Sequence, residues 1–401
     1  MRFLFLHNNF PAQYRHIIQE LAKDPANQVF FVTKAAEPQI PGVTKLLYKP
    51  SRDPHNNTHH YLLPLENSVL HGQAVYVLME KLKKQGFVPD VMCGHSGWGP
   101  TLFLKDAFPQ TPLMCYFEWF YNMYGSDMDF DKQGAHNIDD MARIRIKNAS
   151  ILVELYSCDR GLSPTNWQKS QFPKEFHDKI SVMHDGVDTD YFVPDPGAKL
   201  VLPNLDLSGV DEIVTYVARG MEPYRGFPQF MESLVYLQER RPNCHAVIVG
   251  SERVCYGRAL PNNQTFKKLM LDKLPNLDLS RIHFTGSLPY NQYLKVIQAS
   301  SVHVYLTYPF VLSWSAIESM STGCLVLGSD TQPVHEVITD GENGLLVDFF
   351  NSKAVADRIS EVLDHPTRMA ELRVKARQTV LDRYALKDLL PKQLELIKGI
   401  A

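Results

Sequence analysis

The chain has 401 residues, 44% of them hydrophobic and 21% charged, and a formal net charge of −3. This is the composition of a soluble globular protein with enough chain for two or three domains. The balance of charge excludes a global positive field for nucleic acid or an anionic membrane, leaving only local basic faces. Six cysteines (93, 115, 158, 244, 255 and 324) stand far apart without CxxC pairs, several in or beside apolar runs, as reduced thiols do. No apolar stretch approaches the roughly 18 residues that span a bilayer, and Phe3–Leu6 is too short for a signal-peptide core. A cytoplasmic protein is expected.

In chain order, Arg2–Leu6 reads as a buried strand ending at His7-Asn8-Asn9-Phe10-Pro11, followed by a helix over Tyr14–Ala22 and a strand at Gln28–Thr33. The dinucleotide fingerprint GxGxxG is missing from this βαβ opening, which argues against NAD or FAD. The turn carrying Asn9 would still lie at the carboxyl end of the sheet, where ligands bind. Lys34–Pro64 is polar and Pro-rich, and its His55, His59 and His60 read as a loop tip rather than a metal site. Asn67–Gln85 is a long amphipathic helix, with Lys81, Lys83 and Lys84 as the basic residues of a membrane-docking face if there is one. Strands follow at Pro89–Gly94 and Pro112–Phe117, with a helix over Thr101–Phe108 between them. The second strand releases Glu118 into the aromatic run YFEWFY, a plausible acceptor-site carboxylate. Asp139–Ala149 is helical, Leu152–Glu154 continues it, Thr165 caps a helix, and Lys179–Met183 is strand-like. Tyr191–Val210, rich in Pro, Asp and Leu, reads as an interdomain linker.

A second α/β series begins at Ile213–Val217, with strands at His245–Gly250, Ile282–Thr285, Val302–Leu306, Cys324–Gly328 and Gly344–Val347. Helices alternate with them, one running through Arg240 and one over Tyr290–Ala299. Helices at Ser352–Leu363, Arg368–Tyr384 and Pro391–Ile397 close the chain. Two such series predict two doubly wound domains facing a central cleft: residues 1–195, residues 196–380, and a last segment 381–401 crossing back to the first. A long polar loop separates the second and third strands of the second series.

The most informative stretch is Tyr308–Gly328. A strand, a Pro-containing turn and a helix opening near Ser313 or Trp314 would present backbone N–H groups to an anion. Glu318, one turn in, suits a sugar diol, and Gly323 would end the helix in the left-handed conformation. Arg219 and Arg225 flank the turn containing Gly220, just after the first strand of this domain. There they could clamp a diphosphate, and with Glu318 they suit a nucleoside diphosphate.

These pieces, in this order, resemble the family-4 retaining glycosyltransferases of the GT-B fold, over nearly the whole chain and most strongly from Ser163 onward. HDGVDTDYFVP (184–194), VARGMEPYRGF (217–227), VIVG (247–250), HFTGSLPYNQYLKVIQAS (283–300), VLSWSAIESMSTGCLV (311–326) and EVITDGENGLLVD (336–348) carry the resemblance. The HNNFPAQYRH opening resembles a bacterial subgroup. The resemblance implies transfer of a sugar from a nucleoside-diphosphate sugar to a hydroxyl on a glycan, lipid-linked or small-molecule acceptor, with retention and no metal. In surface-glycan synthesis this would occur in the cytoplasm or at the inner membrane face. It places the diphosphate on Arg219 and Arg225, the ribose on Glu318, and the sugar on the backbone amides of Val311, Leu312 and Ser313 beside Trp314. The base would lie at Gly286 and Ser287. Glu318 is the second of the family's two glutamates; the first, with seven residues between them, is here Phe310. The alternatives are a sugar-nucleotide epimerase of the same fold and a nucleotide-sugar-binding scaffold weakened by that Phe310.

Overall fold

The structure, a computed structural model, describes residues 1–131 and 137–401. It divides into two compact units, Met1–Asp185 with Lys387–Ala401, and Gly186–Leu386. These boundaries differ from the 195/196 and 380/381 of the sequence reading because residues 186–192 are tied to the second unit. Val187 bridges Ala385, and the Phe192 ring packs on Tyr290 and Tyr293.

The first unit is a parallel sheet of β1 (Arg2–Leu6), β2 (Gln28–Thr33), β3 (Val43–Leu47), β4 (Val91–His95), β5 (Leu113–Tyr116), β6 (Arg160–Ser163) and β7 (Ile180–Val182). The strands lie in the order β3-β2-β1-β4-β5-β6-β7. A parallel sheet is covered on both faces, so its strands are apolar throughout rather than alternating. Hence Phe3, Leu4, Phe5 and Leu6 are all buried. Leu4 and Leu6 join Met92 and Leu155 in one core. Phe3 and Phe5 join Ile17, Ile18 and Ile397 in another, so the C-terminal segment helps seal the unit. Gln393 Nε2 also donates to the His184 carbonyl at 2.8 Å.

β3 falls inside the stretch read as polar loop. It is an edge strand, none of its residues buried, so its sequence carries no continuous apolar run. The long helix spans Leu63–Lys84, starting earlier than expected because Pro64 is tolerated in a first turn, where its missing N–H has no intrahelical partner to lose. Lys83 donates to the Ala107 carbonyl at 2.7 Å, while Lys81, Lys83 and Lys84 are all exposed.

The second unit opens with a hairpin, β8 (Val201–Leu202) and β9 (Leu205–Asp206). A parallel sheet follows, of β10 (Ile213–Gly220), β11 (His245–Ser251), β12 (Ile282–Gly286), β13 (Val302–Tyr305), β14 (Val326–Ser329) and β15 (Leu345–Val347), in the order β12-β11-β10-β13-β14-β15. The stretch read as a linker is therefore corrected. Leu200, Leu202 and Leu207 are buried with Ile213, Val247 and Val296, and their apolar side chains anchor it. The polar loop after β11 holds a further helix, Phe266–Lys273, capped by Thr265. The helix Trp314–Ser321 has Ser313 as its N-cap, and Gly323 beyond its end has φ +71°.

In both sheets the strand order reverses beside the first strand, between β1 and β4 and between β10 and β13. Loops leaving the carboxyl ends of such a pair diverge and open a crevice, the usual ligand position in doubly wound sheets. Among the described residues no helix is long and apolar enough to cross a membrane.

Candidate active site

In the second unit the two loops flanking the reversal point are 221–226, after β10, and 306–313, after β13. Arg225 joins them. It is buried (5% exposed), and its Nη1 donates to Tyr305 Oη (3.0 Å), Thr307 Oγ1 (2.8 Å) and the Val311 carbonyl (2.9 Å). Tyr256, from the loop after β11, lies with its ring centroid 5.1 Å from the guanidinium carbon. Burial disfavours the charge, but Tyr305 and Tyr256 outweigh it and the pKa is raised. The cation is fixed in place. Arg219, at the end of β10, is exposed, so of the two arginines it is the solvent-accessible one and Arg225 the anchored one.

Tyr305 Oη also accepts the Ser313 N–H at 2.7 Å. This pins the start of the helix Trp314–Ser321 and commits one of the three amides expected at a sugar. The N–H groups of Val311 and Leu312 meet no protein acceptor among the described residues. The Ser313 hydroxyl caps the helix through Ser315 N. Trp314 is partly exposed at the helix start. Unsatisfied N–H groups at a helix entry, beside the Arg225 guanidinium, form a seat for an anion.

Glu318 is 7% exposed, and its carboxylate accepts from Tyr293 Oη at 2.9 Å and Tyr290 Oη at 3.5 Å. Both tyrosines stand on the helix Tyr290–Gln298, which begins just after Gly286 and Ser287 at the end of β12. Gly286 has φ +69° with open space where a Cβ would lie, and Ser287 is exposed. Phe310 is buried against Tyr224 and Tyr256 at 5.5 and 5.3 Å between ring centroids, and Tyr224 stacks on Tyr308 at 4.7 Å. Where the resembled family has an acid, this chain has one wall of an aromatic group packed over Arg225.

Sequence reasoning missed Glu222. Fully buried, its carboxylate takes the backbone N–H groups of Cys255 (2.8 Å), Tyr256 (3.0 Å) and Gly257 (2.7 Å). It thereby holds the loop that sets Tyr256 over Arg225. Gly220 permits the same approach, since a Cβ there would stand 2.3 Å from the Arg253 carbonyl. The available signal was an acid inside an apolar strand-end turn.

In the first unit, the loops after β1 and β4 bring His7 and His95 together, with ring centroids 4.8 Å apart and Trp98 stacked on His95 at 4.6 Å. His7 Nδ1 accepts the N–H of Asn9 at 2.8 Å, and Asn9 itself is exposed at the loop tip. His95 is 3% exposed. Its Nδ1 lies 2.8 Å from the Ser96 carbonyl, which can only accept, so Nδ1 carries the proton. Its buried Nε2 has no hydrogen-bond partner and stands 3.6 Å from Glu118 Oε2. The Glu118 backbone is fixed by the buried Gln168, which donates to its carbonyl at 2.8 Å. Glu118 was expected here and His95 was not, because a histidine ending an apolar strand carries no signature alone. Glu154, also unforeseen, accepts from Ser96 Oγ (2.5 Å), Gly97 N (2.7 Å) and Thr101 Oγ1, and shapes the loop after β4. Burial raises its pKa. Among the described residues no three His, Cys, Asp or Glu side chains come together as metal ligands, and His55, His59 and His60 stand on an exposed loop.

Residues 25–192 match the family model described as glycosyl transferase family 4 group, and residues 204–379 match that of glycosyl transferases group 1. A D-inositol 3-phosphate glycosyltransferase of Corynebacterium efficiens is 25% identical over 191 residues, 47% of this chain and 43% of that protein. A GDP-mannose-dependent alpha-(1-6)-phosphatidylinositol monomannoside mannosyltransferase of Mycolicibacterium smegmatis is 22% identical over 252 residues, 59% of this chain and 61% of that protein. The chain spans about half the length of the curated relatives it matches. Of solved structures, the sucrose-phosphate synthase of Thermosynechococcus elongatus aligns over 100% of this chain and 99% of its own at TM-score 0.74 and 17% identity. Anabaena HepE in complex with UDP aligns over 100% of both chains at TM-score 0.69 and 15% identity. At these identities the likeness is one of fold.

Proposed function

We propose that this chain, a glycosyltransferase of the GT-B fold, moves a sugar from a nucleoside diphosphate to an acceptor hydroxyl with retention at the anomeric carbon. The observation that carries this is Arg225, a buried cation joining the loops on either side of the β10/β13 reversal, next to two unengaged backbone N–H groups, with the exposed Arg219 at the end of β10. In this reading the diphosphate sits on Arg219 with Arg225 beneath, the donor sugar next to that diphosphate meets the Val311 and Leu312 amides, and the ribose hydroxyls meet Glu318. These groups stabilise the charge that develops on the departing phosphate, so no metal is required. Electrostatic stabilisation of this kind acts only as the glycosidic bond breaks, which is where it lowers the barrier.

On the first unit the acceptor hydroxyl binds between His95 Nε2 and Glu118. The buried His95 Nε2 is an unmet acceptor 3.6 Å from Glu118 Oε2, and a hydroxyl donating to it would supply the missing bond. In the overall reaction the acceptor's hydroxyl proton leaves with the nucleoside diphosphate as the new glycosidic bond replaces the old one. HepE was solved with UDP, and the mycolicibacterial relative is named for GDP-mannose; these two bases head the candidates for the donor.

The test is donor turnover with a panel of UDP-, GDP- and ADP-sugars, with and without EDTA, and the anomeric configuration of the released or transferred sugar read by NMR. Turnover of one donor, insensitive to EDTA and with retained configuration, supports the reading. Inverted configuration would sink the retaining mechanism, loss of turnover in EDTA would sink metal independence, and no turnover with any donor favours a binding scaffold.

A further inference from the structure

In the first unit the helices Ile138–Lys147 and Ala149–Ser157 follow one another directly. Asn148 between them keeps right-handed helical angles (φ −82°, ψ −5°), so the two run on as one kinked helix, about 30 Å long. One face of it serves the core, with Ile144, Asn148, Ile151 and Leu155 buried at helical spacing. The opposite face of a helix at the surface is ordinarily polar. Here it is not. Ile138 is 83% exposed, Met141 45%, Leu152 39%, Val153 48% and Tyr156 82%, and they recur at helical spacing on either side of Arg145. Tyr124, 64% exposed, extends this stripe, its hydroxyl donating to Met141 Sδ at 3.8 Å. Apolar side chains gathered on one exposed face mark a binding surface, whereas scattered ones do not.

The charges along the stripe decide what it fits. The acids of the helix are engaged within the unit. Asp139 accepts from Tyr61 Oη, Asp140 pairs with Arg143 at 2.8 Å, and the buried Glu154 accepts from Ser96 and Gly97. Two cations have no acid. Arg145, in the middle of the stripe, is exposed and makes no hydrogen bond or ion pair among the described residues. Lys179 donates to the carbonyls of Leu155 and Tyr156 at 2.8 and 3.1 Å, which sets an ammonium without a carboxylate partner among the described residues at the Tyr156 end.

We propose that this face docks on a lipid surface bearing anionic headgroups. The apolar side chains enter the boundary between headgroups and acyl chains, and Arg145 and Lys179 meet the headgroups. Tyr124 and Tyr156 suit that boundary, each with an apolar ring and a polar tip. The helix lies along the surface, since among the described residues none is long and apolar enough to cross it. A second copy of the chain fits the stripe less well. A two-fold pairing that covers its whole length brings two Arg145 side chains together near the axis, withdrawing like charges from water. This face is not the one expected on the helix Leu63–Lys84 with Lys81, Lys83 and Lys84, and it does not depend on the glycosyl-transfer reading.

Co-sedimentation of the full chain with vesicles tests this, one set of phosphatidylcholine alone and the other with about one-third phosphatidylglycerol. The chain should bind the anionic vesicles about tenfold or more tightly than the neutral ones. Ile138→Ser combined with Tyr156→Ser should weaken that binding about tenfold or more, and Arg145→Gln about fivefold. These side chains are exposed, so an unchanged melting temperature separates loss of the face from loss of the fold. Lys81→Gln combined with Lys84→Gln should bind as the wild type does. No binding to anionic vesicles, or equal binding to both kinds, overturns the proposal. So does equal binding by the wild type and the Ile138→Ser, Tyr156→Ser variant, or loss of binding in the Lys81→Gln, Lys84→Gln variant, which would move the contact to the other helix. A dimer in sedimentation equilibrium that the Ile138→Ser and Tyr156→Ser changes dissociate, without vesicle binding, overturns it in favour of a second copy.

Discussion

At the scale of single residues, the second unit separates anchored groups from free ones. Arg225 and Glu222 are buried and hydrogen-bonded within the unit, whereas Arg219 is exposed and the Val311 and Leu312 N–H groups meet no acceptor among the described residues. The Glu318 carboxylate accepts from Tyr293 and Tyr290. Those hydroxyls hold the carboxylate in one orientation, which is what recognition of a diol needs. Glu318→Ala should therefore weaken nucleoside-diphosphate binding about tenfold to a hundredfold, the worth of one or two charge-assisted hydrogen bonds, and should also lower the melting temperature without ligand, because the buried Tyr293 hydroxyl loses its acceptor. Isothermal titration checks it, and equal affinity for nucleoside diphosphate in both proteins would remove Glu318 from the ribose. Phe310 is buried among Tyr224 and Tyr256 and offers a sugar no polar atom, so recognition of the sugar's hydroxyls must come from other groups.

At the scale of elements, the loop after β11 is shaped by one carboxylate. Three successive N–H groups converge on Glu222, and an amide in its place would set an NH2 against one of them. Glu222→Gln should cost about 2–4 kcal/mol of stability, as expected when a buried charge-assisted network is broken. Urea unfolding measures this, and a loss below about 0.5 kcal/mol, the range of ordinary surface changes, would contradict the assignment. Glu222 also marks the limit of what the sequence conveys. The strands β1, β2 and β10 were legible because a doubly covered strand is apolar at every position. The helix Trp314–Ser321 was legible because Ser313 and Gly323 punctuate it. β3 was not, since an edge strand need not be apolar, nor was the hairpin β8–β9, whose Pro and Asp read as linker while Leu200, Leu202 and Leu207 anchor it. Arg225 and Glu318 were visible from motif spacing. The pairing of His95 with Glu118 depends on β4 and β5 lying side by side, a tertiary fact that no local pattern encodes.

At the scale of the whole molecule, each unit carries a histidine buried in its neutral form. Burial lowers the pKa of His184 and of His303 to about 4. The unfolded chain, with an ordinary value near 6.5, binds protons that the folded units do not. Their contribution is thus fully present above about pH 6.5 and is lost as pH falls toward 4, by up to about 3 kcal/mol for each residue. Urea midpoints at pH 7, 5 and 4 should fall accordingly, and His303→Gln should flatten the trend for the second unit. A midpoint independent of pH across that window would mean that these rings are solvated.

The most direct measurement of the central claim is a thermal-shift titration with UDP, GDP and ADP on the wild type and on Arg219→Ala, a change at an exposed side chain that leaves the buried Arg225 in place. The melting temperature should rise with one nucleotide by mass action, and Arg219→Ala should require about tenfold more of it for the same shift. No shift with any nucleotide, or identical titrations for the two proteins, would contradict a diphosphate held at the β10/β13 reversal.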